Sequence, residues 1–174
     1  MQVKIITLVT NIDGVGPGHS AVAVGDQLYT FEDMTGGWFQ SNSGWKKLQY
    51  EPYLSNNEHR PALIQTIPSA NPPSVTKYVN QSIADDDDYG SSGVCSQQVA
   101  MAVNYALPKD VIFNPKGFDT PFGVYWCARR LGLVSSEEYL WPGKSSVRFR
   151  TWMNIVNKLQ SDYPIAADNM DLNP

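Results

Sequence analysis

The chain contains no hydrophobic run long enough to span a bilayer as a helix. Cysteine is scarce: Cys95 and Cys127 are the only two. That excludes a disulfide-stapled scaffold and a cysteine-rich metal cluster. CxxC, HxxxH and Walker-type loops are all missing. Positive charge is in deficit, with 13 Lys and Arg against 17 Asp and Glu, a net charge of -4 and a pI near 5.0. This balance argues against nucleic acid or an anionic membrane as partner. The opening stretch MQVKIITLVTNIDG is too short and too strand-like for a secretory signal. The expectation is a chain that is cytoplasmic at synthesis, with export to a target periplasm by a signal-independent system left open.

What is present fits one globular domain. The 174 residues, 42% of them hydrophobic, suffice for a core without staples and are read as a single unit, 1–174. The first part reads as strands: VKIITLVT (3–10), HSAVAV (19–24), QLYTFE (27–32), GGWFQ (36–40), WKKLQY (45–50) and ALIQTI (62–67). Gly25-Asp26 joins the second and third as a type II′ hairpin. After Pro68 the period becomes helical. PPSVTKYVNQSIADD carries Val75, Tyr78, Val79 and Ile83 on one face, and VCSQQVAMAVNYAL (94–107) has Val99, Ala102, Val103 and Ala106 as an apolar stripe. Two more helices are expected over 120–133 and 145–159, and a poorly ordered tail from about 161. Strands followed by helices give an α+β class, an antiparallel sheet packed against helices. The acidic run Asp85–Asp88 lacks the spacing of a calcium loop and reads as a solvated connection.

The hairpin carries the first chemical signal. Counting outward from Gly25-Asp26 pairs Ala21 with Thr30 and sets His19 opposite Glu32. Directly opposite residues share a face, with Cβ atoms about 5 Å apart. A carboxylate beside an imidazole fixes its tautomer and suits a general base. Alone, such a pair is an ordinary polar contact between strands. Cys95 gives it something to activate. The stretch YGSSGVCSQQVAMAV is a small-residue loop running into a helix, with the cysteine in its first turn. A helix N-terminus offers free N–H groups and partial positive charge, which favour a thiolate and a developing oxyanion. Cys95 as nucleophile, His19 as base and Glu32 as orienter form a complete set. Cys127, among Tyr125, Trp126 and Leu131, reads as core. His59, in a polar loop, is a weaker candidate base.

Histidine opening a strand in GHSAVAV, an acid on the next strand and a later cysteine at a helix start resemble the circularly permuted papain-like hydrolases. These are relatives of the NlpC/P60 cell-wall peptidases, and in this branch the histidine precedes the cysteine. The resemblance covers roughly residues 1–107. It implies a permuted papain-like fold with Cys95 as nucleophile and His19 as base. Glu32 is the implied orienter, with Thr30, Asp33 or a distant polar residue as other occupants of that position. It also implies acyl-enzyme chemistry with no metal or organic cofactor. Peptidoglycan stem peptides are the expected substrate, with an isopeptide or a lipid acyl group as alternatives. A signal-free amidase of this kind would suit an antibacterial effector, with an immunity protein as inhibitory partner. A different reading is a non-catalytic glycan- or peptide-binding module using Trp38, Phe39 and Trp45.

Overall fold

The computed structural model describes residues 1–9, 18–32, 44–57, 60–87, 93–115 and 120–140, together with helical positions at 154 and 157. The chain is α+β. Strands β1 (Val3–Leu8), β2 (His19–Val24), β3 (Gln27–Glu32), β4 (Gly44–Gln49), β5 (Ala62–Ile67) and β6 (Ser136–Leu140) form one antiparallel sheet in the order β4-β3-β2-β1-β5-β6. Helices α1 (Tyr50–Asn56), α2 (Pro72–Ala84), α3 (Cys95–Ala106) and α4 (Pro121–Arg130) cover it.

The β-branched runs of β1, β2 and β5 occupy the centre, where a pleated surface buried on both sides suits them. One face carries Val3, Ile5, Val22, Val24, Tyr29, Phe31, Trp45 and Ile67 against α2, α3 and α4. The other carries Ile6, Leu8, Ala21, Ala23, Leu28, Ala62 and Ile64 against Tyr50 and Tyr53 of α1. The sequence shows only the first of these as a core face. The second is closed by α1, of which sequence reading takes only Tyr50, as the end of the strand at 45–50, and assigns the rest to no element. Pro52 is the reason for the break: it cannot donate to a ladder but is tolerated in a helix's first turn.

The hairpin forms as expected. Gly25 has φ 58° while Asp26 stays at negative φ, the pattern of a type II′ turn. Helix α2 starts on Asn71, whose side chain accepts from the Ser74 N–H, and buries Val75 and Val79. Its face departs from expectation at Ile83, which is 43% exposed, while Ser82 is buried. Ser82 accepts from the Trp45 indole at 3.0 Å and donates to Asp87, pinning β4 to α2. The acidic run therefore has a structural role at Asp87. The strand expected at 36–40, the helix over 145–159 (beyond positions 154 and 157) and the tail lie outside the described residues.

Strand β6 was not expected, because SEEYL offers little apolar content. Its anchor is Glu137. The carboxylate, 2% exposed, pairs with Arg129 Nε at 2.7 Å and accepts from Gln65 at 2.9 Å and Tyr125 at 2.8 Å, with Tyr139 as a further donor. Burying this charge is tolerated because every partner is hydrogen-bonded. Glu137→Ala leaves the Arg129 guanidinium buried without its counter-charge. It should lower the urea-unfolding free energy by about 3–5 kcal/mol.

Candidate active site

The site lies where β1, β2 and β5 end together: Leu8 pairs with His19 on one side and with Ala62 on the other. Gly18 permits this approach. A Cβ there would stand 2.4 Å from the Leu8 carbonyl oxygen, so no side chain fits before His19.

Register then assembles the polar groups. Ala21 pairs with Thr30, and Thr30 with Lys46. Strand alternation puts His19, Thr30, Glu32 and Lys46 on the α1 face of the sheet. The β2–β3 pairing runs to Ala21–Thr30, and His19 and Glu32 stand two positions beyond it on the same face. Their closest polar atoms, His19 Nε2 and Glu32 Oε1, are 3.7 Å apart, an ionic distance but too long for a hydrogen bond. Thr30 closes the gap. His19 Nε2 lies 2.6 Å from Thr30 Oγ1, and Thr30 Oγ1 donates to Glu32 Oε1 at 3.0 Å. Lys46 Nζ holds Glu32 Oε2 at 2.8 Å.

This chain of bonds determines a tautomer. The Thr30 hydroxyl has one hydrogen and gives it to Glu32, so it accepts from His19. Nε2 therefore carries the imidazole proton, and Nδ1 keeps a free lone pair. The hydroxyl of Tyr53 also reaches Thr30. Burial is the largest influence on the Glu32 carboxyl and would raise it, but the bond and charge of Lys46, the charge of His19 and the Thr30 bond together hold the group below its ordinary value. Burial pushes His19 down to about 4, so its imidazole is neutral at pH 7.

Cys95 opens α3 on the opposite face of the sheet. Two local features set its position. Gly93 has φ 109°, and a Cβ there would meet Gln97 Oε1 at 2.7 Å. Gln97 accepts from the Val94 N–H at 2.9 Å, capping the helix start. The thiol is directed at the backbone N–H groups of Ser20 and Ser96. Strand N–H groups lie in the plane of their sheet. The Ser20 contact thus draws the sulfur toward that plane, beside the residue that follows His19. No hydrogen bond joins His19 to Cys95 among the described residues.

The expectation of a depressed cysteine pKa is not met. Burial, with Cys95 only 5% exposed, raises the thiol. The two N–H groups and the Arg60 guanidinium oppose this without reversing it. The resting pair is a thiol and a neutral imidazole. Cys127 is core, 3% exposed, with its thiol pushed up to about 11 by burial. Both cysteines are free.

Sequence reasoning brought Cys95, His19 and Glu32 to one end of the sheet, with Thr30 among its alternatives. It missed Lys46, Tyr53 and Arg60. The register of β3 against β4 would have found Lys46. Trp45 is 9% exposed and packs edge-on against Phe31 at 5.4 Å, so it offers no recognition surface. His59, Asp33, Trp38 and Phe39 lie outside the described residues. Among the described residues no cluster of three or more His, Cys, Asp or Glu could hold a metal ion. No family model, curated protein or solved structure matches the chain.

The depressed His19 pKa couples folding to pH. An unfolded histidine protonates near 6.5 and the folded one near 4, so between these values the unfolded chain binds more protons. Stability is intact above about pH 6.5 and falls as pH drops, with a loss approaching about 3 kcal/mol. Urea melts from pH 7 to pH 4 should show this decline, and His19→Gln should flatten it.

Proposed function

We propose that the chain is a cysteine amidase or peptidase of the permuted papain-like group, working through an acyl-enzyme. We further propose that it cleaves peptidoglycan stem peptides as an antibacterial effector. The observation that carries the reading is the chain from Lys46 through Glu32 and Thr30 to His19 Nε2. It ends in a neutral, oriented base at the residue next to the amide that contacts the Cys95 thiol. A purely structural polar pair does not need a fixed tautomer with a free Nδ1. The substrate class follows from the resemblance to NlpC/P60 relatives.

In this mechanism the Cys95 proton passes to His19 Nδ1 as sulfur attacks the amide carbonyl carbon. The Cys95 N–H at the start of α3 helps to hold the oxyanion. The C–N bond breaks, and the amine leaves with the proton held by His19. Water then attacks the thioester as His19 takes its proton, releasing the acid and restoring the thiol. Because both resting groups are neutral, proton transfer accompanies attack. His19 is available as a base throughout the neutral range.

Expression in a bacterial periplasm tests the reading. The wild type should lyse cells and release cut stem peptides from purified sacculi, identified by mass. Cys95→Ala and His19→Ala should do neither. Thr30→Val should keep the nucleophile but lower turnover about a hundredfold by freeing the imidazole. Intact sacculi with all variants alike would overturn the proposal.

A further inference from the structure

The site contains a cation, Arg60, with no ion pair among the described residues. Arg60 follows α1; its N–H bonds the Asn57 carbonyl at 2.8 Å, and the next residue, Pro61, accepts from the Val9 N–H at 2.8 Å. Since Leu8 pairs with both Ala62 and His19, Arg60 lies at the same end of the sheet as the histidine. Its guanidinium is within electrostatic reach of Cys95, Glu32 and Tyr53. Arg60 Nε is buried yet has no hydrogen-bond partner among the described residues.

Arg60 as a whole is half-buried, and a fully buried arginine elsewhere in the chain shows the partner that such a group takes. Arg129, 1% exposed, is matched by Glu137 at 2.7 Å. A desolvated guanidinium ordinarily requires such a carboxylate. Glu32 is engaged by Thr30 and Lys46, and no ion pair joins it to Arg60 among the described residues. Lys46 also neutralises Glu32, so that carboxylate does not repel an incoming anion.

We propose that Arg60 is a specificity-determining residue that receives a substrate carboxylate lying a few atoms from the scissile carbonyl. The geometry of a guanidinium fork suits a carboxylate in a two-bond contact. The inference rests on the cysteine-hydrolase reading and narrows its substrates to acyl groups or peptides with a free acid beside the cleaved bond.

Two small reagents test the carboxylate contact without any knowledge of the substrate. Iodoacetate and iodoacetamide both alkylate a thiol with loss of iodide and differ in carrying a carboxylate or a neutral amide. Relative to glutathione measured alongside, Cys95 should favour iodoacetate by about tenfold. Arg60→Gln should abolish that preference. Arg60→Lys, which keeps the charge and guards against a folding defect, should retain part of it. An unchanged ratio in Arg60→Gln overturns the proposal. In parallel, stem peptides with free carboxylates should be cut faster than their carboxamide forms, and Arg60→Gln should erase the difference. Equal cleavage of both peptides by the wild type sinks the Arg60 role and leaves the hydrolase standing. Cleavage of neither, with the iodoacetate preference intact, sinks the hydrolase and leaves the carboxylate site.

Discussion

Thr30 stands between a carboxylate and an imidazole, and its hydroxyl has a single hydrogen to give. That scarcity orders the site. Glu32, kept ionised by Lys46, takes the hydrogen, so His19 must be the donor on its Nε2 side. The register of three strands makes this possible: Ala21 opposite Thr30, and Thr30 opposite Lys46. A shift of one residue between β2 and β3 would send Thr30 to the other face and leave His19 untethered. The catalytic proposal thus depends on strand pairing and, through it, on the type II′ turn at Gly25-Asp26.

The sheet is buried on both faces, and this decides the electrostatics. Helix α3 brings Cys95 from one side, while α1 closes the other over His19 and Thr30. Helix-start N–H groups favour a thiolate, but burial costs more and wins at Cys95. Burial also keeps His19 neutral. Cys95 and His19 are therefore not a thiolate–imidazolium pair at rest. Burial leaves both groups uncharged, and in the proposed mechanism charge would form on them only as a substrate carbonyl is attacked. The half-buried Arg60 is the group proposed to receive an anionic substrate there.

Much of this was legible in the sequence where local patterns decide the outcome. The hairpin, β5, and helices α2, α3 and α4 follow from β-branched runs, turn glycines and 3.6-residue periodicity. His19 and Cys95 stand out because one opens a strand and the other a helix. The rest depends on tertiary context. Helix α1 was hidden by its continuity with β4, and β6 by charges that only Arg129, Tyr125 and Gln65 make tolerable. The relay through Thr30 was hidden because it depends on side-chain geometry beyond the last paired residues of β2 and β3, which no periodicity encodes. Arg60 carries no motif; only a buried Nε without a hydrogen-bond partner among the described residues marks it.

The tautomer of His19 can be measured directly by long-range ¹H–¹⁵N NMR of the imidazole at pH 7. The bond chain requires a neutral ring protonated on Nε2, with Nδ1 free, and no imidazolium until the pH approaches 4. A ring protonated on Nδ1, or an imidazolium at neutral pH, would contradict the arrangement on which the proposed chemistry stands.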